Sequence, residues 1–176
     1  SPEQVRRLEA GIRRGDIVWN GIPYTVESEA INGPLLSGML NLSELLDRRY
    51  GKRTTGAKMT DVPGHTRSIV PLLSRAGIRL LHIGVNGATP VPRVPEICRW
   101  RDTDGSEVIL MYMDNYGGTR ILPDKKTAVS IQLTGDNQGP HTANQVRDIF
   151  AGLRERYPQA KIEAASLNDV AEALEQ

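Results

Sequence analysis

Hydrophobic positions along the chain follow two spacings, one typical of amphipathic helices and the other of buried strands. Helical spacing predicts helices over residues 3–14, 35–50, 66–76, 143–157 and 167–174. Short apolar or alternating runs predict strands over residues 16–19, 54–60, 78–85, 128–133 and 161–165. Strands that alternate with helices are typical of a mainly parallel sheet, whose ligands bind at the carboxyl ends of the strands.

A predicted hairpin interrupts this alternation. Two strand-like runs, 97–101 and 107–113, flank an Asp-Thr-Asp-Gly turn, and a proline-rich segment over 86–95 precedes them. Residues 115–126 are expected to form a loop that contains glycine. The sequence therefore predicts one α/β domain over residues 1–176, with mainly parallel strands and one hairpin insertion.

The charge pattern excludes some classes of partner. Lys and Arg number 22 against 21 Asp and Glu, and the two signs are interspersed, so we expect no nucleic-acid partner. The single cysteine, Cys98, excludes an internal disulfide and a multi-cysteine zinc site, and it favours a cytoplasmic location. The apolar runs are too short to span a bilayer, and we expect no membrane partner.

Two turns carry candidate catalytic carboxylates. Residues 58–66 run from the end of a strand through Asp-Val-Pro-Gly-His into a helix, which places Asp61 at the functional edge of the sheet. Asp136 lies in the turn over residues 135–140. Each has a purely structural alternative: Asp61 or Thr66 caps the following helix, and Asp136 belongs to an ordinary turn.

The turn at 61–65 also resembles the nucleotide-switch turn of translational GTPases. Such proteins require a phosphate-binding Gly-x-x-x-x-Gly-Lys-Ser/Thr loop upstream, and residues 1–60 contain none. An Asn-Lys-x-Asp guanine-recognition motif is also absent downstream. These absences argue against a GTPase.

Four segments, in order, resemble the N-terminal catalytic domain of glycoside hydrolase family 38 α-mannosidases, and particularly a bacterial mannosidase-like group. Residues 15–19 are similar to the strand before the substrate loop of that family, and residues 46–51 to a helix end. Residues 60–66 resemble its Ile-Asp-Pro-Phe-Gly-His-Ser turn, and residues 135–140 its Gly-Asp-Gly-Gly-Gly-Gly-Pro loop. The resemblance implies a partial β/α barrel and a retaining α-mannosidase-like glycosidase acting on a carbohydrate.

The resemblance also implies roles for both carboxylates. Asp61 corresponds to the residue that is both nucleophile and zinc ligand, and Asp136 to the acid/base. The His-x-Asp zinc ligands of the family do not occur in this sequence, and its fourth ligand, a histidine, lies in a later domain. The resemblance therefore implies either a member without metal or a fragment that lacks its first barrel strand. In the second case zinc binds only in the complete protein, and the isolated chain is inactive and associates with itself or with the rest of a longer chain.

Further residues are candidates for substrate binding. Glu29 lies in the loop where the family recognises sugar hydroxyls, Tyr24 and Tyr116 are suited to stacking on a sugar ring, and His65 follows Asp61 by one helical turn. The alternatives are solvated loop positions, packed aromatic rings and a histidine that only supports the site. His82 lies within an apolar strand and is expected to be an interior histidine.

Two other functions remain open. A non-catalytic sugar-binding or scaffolding module of the same fold would explain the missing metal ligands. A polysaccharide deacetylase would need a His-x-x-x-His pair, and the three histidines, His65, His82 and His141, are too widely spaced to supply one. An upstream strand that bears His-x-Asp would distinguish the glycosidase from the module.

Overall fold

The computed structural model describes residues 1–62, 64–135 and 137–175. Helices are α1 (Pro2–Arg14), α2 (Gly33–Tyr50), α3 (Ile69–Arg75), α4 (Ala143–Arg156) and α5 (Leu167–Glu175). Strands are β1 (Gly56–Asp61), β2 (Leu80–Val85), β3 (Ile97–Arg101), β4 (Glu107–Met113), β5 (Gly118–Ile121) and β6 (Ala128–Ile131). The chain forms two compact units, Ser1–Tyr116 with Ser166–Gln176, and Gly117–Ala165.

The larger unit contains a four-stranded sheet in the order β1-β2-β4-β3. Strands β1, β2 and β4 are parallel, and only β3 runs antiparallel to its neighbour β4. The mainly parallel α/β architecture and the predicted hairpin are therefore confirmed. The second strand of the hairpin is itself the third parallel strand of the sheet. Among the described residues this sheet does not close into a barrel, and the partial barrel stays a prediction.

One face of the sheet carries the main core. Alternate strand residues on this face pack with α2 and α3, which supply Leu36, Met39, Leu40, Val70 and Leu73 to the same cluster. The helix ends follow from local chemistry: Asn32 caps α2 by accepting a hydrogen bond from the amide of Leu35, and Gly51 ends the helix in the left-handed conformation. At the carboxyl ends of the parallel strands, Asp61 of β1 is exposed, whereas Val85 of β2 and Met113 of β4 are buried.

The opposite face of the sheet is more polar. In register across the strands lie Lys58, His82 and Met111, and α5 packs beside them with Leu167 over Gly56. Backbone atoms of residues 115–116 cross this face at Gly84. A Cβ atom there would lie 2.7 Å from the carbonyl oxygen of Asn115 and 2.9 Å from the Cα of Tyr116. The crossing therefore requires glycine at this position.

The outer edge of β1 is paired by a side chain. Asn20 Nδ2 donates to the carbonyl oxygen of Lys58 at 2.8 Å, and Asn20 Oδ1 accepts from the Lys58 amide at 2.8 Å. Next to it the amide of Gly21 donates to the carbonyl oxygen of Gly56 at 3.1 Å. Residues 20–21 thus occupy part of the position that another strand would take.

Three of the predicted secondary-structure segments are wrong. Residues 16–19 are not a strand: Ile17 and Val18 are exposed, and Trp19 donates a hydrogen bond to Asp47 at 2.9 Å. Residues 161–165 are not a strand either, because four of these five positions are exposed and bury no face. Within the predicted loop 115–126 lies β5, which pairs with β6.

The smaller unit consists of the β5–β6 hairpin, α4 and the connecting segments. Asp124 organises the hairpin turn by accepting hydrogen bonds from Lys126 and Thr127. Thr142 caps α4 in a reciprocal arrangement with Gln145. In the described part of the chain, every helix is too short or too polar to cross a bilayer.

Candidate functional site

Three polar side chains meet where the parallel strands end. Asp61 is the last residue of β1, Asn86 directly follows β2, and Tyr116 lies three residues beyond β4. The Tyr116 hydroxyl donates to Asp61 Oδ1 at 2.5 Å, and Asn86 Nδ2 donates to the same oxygen at 2.9 Å. Asn86 also donates to the Tyr116 hydroxyl at 3.2 Å. We call Asp61, Asn86 and Tyr116 the carboxylate cluster.

The cluster favours an ionised Asp61. The hydrogen bond from Tyr116, followed by that from Asn86, holds the pKa of the exposed carboxyl below its usual range. Both bonds end on Oδ1, so within the described structure Oδ2 is the oxygen that faces no donor. Asp61 is therefore a solvent-accessible anion with one fixed and one available oxygen.

The backbone at Asp61 is also unusual. Its φ is +76°, in the left-handed region that non-glycine residues seldom occupy. Aspartate tolerates this region better than most residues, because its short side chain makes local polar contacts. Such outliers occur preferentially at functional sites, where the surrounding structure maintains them.

A series of polar contacts lies on the opposite face of the sheet from the main core. Lys58 Nζ lies 3.0 Å from His82 Nδ1 and donates to the carbonyl oxygen of Tyr116 at 3.0 Å. His82 Nε2 lies 2.9 Å from the sulfur of Met113. Because thioether sulfur only accepts, Nε2 carries the hydrogen and Nδ1 accepts from the lysine ammonium. His82 is completely buried, and the predicted interior position is confirmed.

Burial shifts the pKa values of both groups. Loss of solvation lowers the pKa of Lys58 to about 8. Burial, and then the charge of Lys58, lower the pKa of His82 to about 3. At neutral pH the pair thus consists of a cationic lysine and a neutral histidine. We call Lys58 and His82 the lysine–histidine pair.

The other described candidate residues take no part in these contacts. His65 Nδ1 lies 3.3 Å from the buried hydroxyl of Ser28, and its Nε2 is buried without a hydrogen-bond partner in the described structure. Burial lowers the pKa of His65, and the nearby charge of Glu29 partly offsets this. Tyr24 and Glu29 are exposed in the loop between α1 and α2. Their predicted contacts with sugar stay predictions.

The helix-cap alternative for Asp61 is wrong. The residue preceding α3 is Ser68, and no side chain caps this helix by a hydrogen bond. Thr66 is held differently, since its amide donates to Ser28 at 2.8 Å. Asp61 instead accepts hydrogen bonds from Asn86 and Tyr116, which follow the other two parallel strands. The second predicted carboxylate, Asp136, lies outside the described residues.

Sequence reasoning missed Asn86 and Lys58 as members of the site. A usable signal for Asn86 was its position immediately after a buried parallel strand. Lys58 was the only charged residue in an otherwise buried strand pattern, which is a costly arrangement unless the amine has a partner. That partner is His82, which lies opposite Lys58 in the register of β1 and β2.

No protein-family model matches the chain, and no curated protein sequence matches it.

Proposed function

We propose that this chain carries the nucleophile of a retaining α-mannosidase-like glycosidase, which acts on its carbohydrate substrate in the complete protein. The observation that supports this is the carboxylate cluster, in which the ends of three neighbouring parallel strands converge on one exposed anion. Ligands of parallel α/β sheets bind at this edge. The resemblance of residues 60–66 to the catalytic turn of family 38 assigns the same aspartate.

The proposed chemistry follows from the two oxygens of Asp61. Oδ2 attacks the anomeric carbon and forms a glycosyl ester, while Tyr116 and Asn86 orient Oδ1. The glycosidic oxygen leaves with a proton from a second carboxylic acid, about 5 Å from the nucleophile in retaining enzymes. Water, deprotonated by the same group, then hydrolyses the ester. Asp136 is our candidate for this group.

The described residues do not fit a zinc site. Among them no group of three His, Cys, Asp or Glu side chains is arranged to hold a metal ion. Asp61 alone cannot satisfy zinc, which takes four ligands. No step above therefore involves metal, and zinc binding by the complete protein stays a prediction.

The deciding experiment compares two aspartate variants of the complete protein on activated aryl α-mannosides. Asp61→Asn keeps the shape of the side chain but cannot form the ester, and kcat should fall by about 1,000-fold or more. Asp104→Asn is the matched control. Asp104 is also exposed and also has a lowered pKa, through hydrogen bonds from Ser106. It lies in the β3–β4 turn, before the amino end of β4, and takes no part in the carboxylate cluster, so its loss should leave kcat unchanged.

Wild-type kinetics in Asp61→Asn would contradict the proposed nucleophile. If the wild-type protein instead binds mannosides in calorimetry without turning them over, the non-catalytic sugar-binding module is the better account. Asp136→Asn tests the second carboxylate separately. It should slow hydrolysis of natural glycosides more than that of activated ones, because a good leaving group needs little protonation.

A further inference from the structure

The lysine–histidine pair is joined to the carboxylate cluster through one residue, Tyr116. Its carbonyl oxygen accepts from Lys58 Nζ at 3.0 Å, and its hydroxyl donates to Asp61 Oδ1 at 2.5 Å. Lys58 and Asp61 belong to the same strand, three residues apart. The contacts therefore close a ring that starts and ends on β1 and passes through the segment that follows β4.

Lys58 attaches the segment of Tyr116 to β1, although this segment belongs to no strand of the sheet. The pairing of β4 with β2 ends at Met113. Residues 115–116 then cross β2 at Gly84. Lys58 reaches this segment from within the sheet, as a half-buried side chain. Its amine is oriented in turn by His82, which is fully buried and holds its other nitrogen against Met113.

We propose that Lys58 is a positioning residue for Asp61: its ammonium, oriented by His82, fixes the Tyr116 carbonyl and so places the Tyr116 hydroxyl on the carboxylate. The positioning itself is a property of this chain. Only its importance for catalysis rests on the proposed glycosidase function.

A simpler effect competes with this one. The positive charge of Lys58 also stabilises an ionised Asp61 directly, by Coulomb attraction that needs no contact with Tyr116. Removal of the amine would raise the pKa of Asp61 in either case. The two mechanisms differ when Tyr116 has already lost its hydroxyl, because the Coulomb effect then persists and the positioning effect does not.

The test is therefore a double-mutant cycle with the pKa of Asp61 as the readout, measured by carboxyl-carbon NMR on this chain. Tyr116→Phe removes the hydroxyl, and Lys58→Met removes the amine while keeping a straight chain. We expect each single variant to raise the pKa of Asp61. We expect the double variant to match Tyr116→Phe, because the hydroxyl that Lys58 positions is no longer present.

Either of two results overturns the proposal: an unchanged pKa of Asp61 in folded Lys58→Met, or an equal effect of Lys58→Met in the presence and absence of the Tyr116 hydroxyl. Circular dichroism establishes that each variant is folded. Lys58→Gln is the second variant if Lys58→Met unfolds. Its amide can still donate to His82, but its side chain is one atom shorter than that of lysine and does not hold the Tyr116 carbonyl in place. We therefore expect the same changes in the pKa of Asp61 as for Lys58→Met.

The cycle does not depend on turnover, so its failure is distinguishable from a failure of the proposed function. In the complete protein, Lys58→Met and Tyr116→Phe should lower kcat to the same extent and should not add. If Asp61→Asn abolishes activity and the cycle shows no coupling, the positioning proposal fails and the nucleophile stands. If the cycle shows coupling and no glycosidase activity is found, the reverse holds.

Discussion

Tyr116 follows β4 in the chain, yet its hydroxyl reaches Asp61 at the end of β1. This is possible because the backbone of Tyr116 passes over β2 at Gly84, which has no side chain. The hydroxyl of Tyr116 lies 2.5 Å from Asp61 Oδ1, and the Cα of Tyr116 lies 2.9 Å from where a Cβ of Gly84 would be. The hydrogen bond at the edge of the sheet therefore depends on a glycine in its interior.

Replacement of this glycine should affect both stability and the site. In Gly84→Ala, the new methyl group would meet backbone atoms of residues 115–116, which cannot rotate away as a side chain can. We expect a loss of about 1 to 3 kcal/mol in the free energy of unfolding, together with a raised pKa of Asp61 as Tyr116 is displaced. Denaturant titration and carboxyl NMR measure the two effects.

Gly87→Ala is the control for this prediction. A Cβ at Gly87 would meet no atom within 4 Å, and its backbone does not need positive φ. Its unfolding free energy should stay within about 0.5 kcal/mol of the wild type. Equal behaviour of the two alanine variants would show that the crossing is not tight.

The backbone of Asp61 allows a second prediction. At a φ of +76°, alanine is strained and glycine is not, and both substitutions delete the same two hydrogen bonds. Asp61→Gly should therefore be more stable than Asp61→Ala by about 1 kcal/mol, in thermal or denaturant unfolding. A more stable alanine variant would contradict the left-handed conformation. Neither variant should retain catalytic activity in the complete protein if Asp61 is the nucleophile.

His82 should make the protein acid-sensitive. Burial and the charge of Lys58 lower its pKa from the ordinary 6.5 to about 3, so between these pH values the unfolded chain binds a proton that the folded chain does not. Stability should therefore fall as the pH drops through this window, with a contribution of at most about 1.4 kcal/mol per pH unit.

His82→Gln isolates this contribution, because glutamine does not titrate and the carboxylates remain the same in both proteins. The curve of unfolding free energy against pH should be flatter for the variant between pH 6.5 and 4. Parallel curves for the two proteins would show that His82 does not resist protonation. Lys58 faces His82 and remains charged throughout this range, since its pKa is about 8.

The start of β1 depends on a residue distant in sequence. Asn168 Oδ1 accepts from the amides of Thr55 and Gly56 at 2.8 and 2.9 Å, and its Nδ2 donates to the carbonyl oxygen of Arg53 at 3.1 Å. Asn168→Ala leaves these backbone groups unpaired and should cost about 2 to 3 kcal/mol. Asn144→Ala, on α4, removes only a contact with exposed Arg147 and should cost less than about 0.5 kcal/mol. Similar unfolding midpoints for the two variants would contradict this role.

The sequence was sufficient for elements that bury a continuous apolar face. The hairpin strands Ile97–Arg101 and Glu107–Met113 and the βαβ unit around α3 were predicted because their hydrophobic pattern and their packing agree. Residues 16–19 show where pattern fails. Ile-Val-Trp is typical of a strand, but the neighbouring edge of β1 is paired by the amide side chain of Asn20, and no hydrophobic pattern reports a side chain that replaces backbone.

The site was predictable to a similar degree. Asp61 was identified from its position after a strand, and Tyr116 as a candidate for stacking on sugar, but their direct hydrogen bond was not foreseen. It depends on the crossing at Gly84, a contact between residues 84 and 116 that only the folded chain brings together. Lys58 was hidden for the same reason, since its partners come from β2 and from beyond β4.

The side chain of Asn20 limits how the sheet can grow. An open strand edge exposes N–H and C=O groups to which a strand of another molecule adds, a common origin of aggregation and of shared sheets between subunits. At the middle of β1 both groups of Lys58 are already bonded to Asn20, and the carbonyl oxygen of Gly56 to Gly21. A strand arriving at this edge must first displace residues 20–21. Addition of a strand here therefore requires an exchange of partners, in which the hydrogen bonds of residues 20–21 to β1 are replaced by those of the new strand.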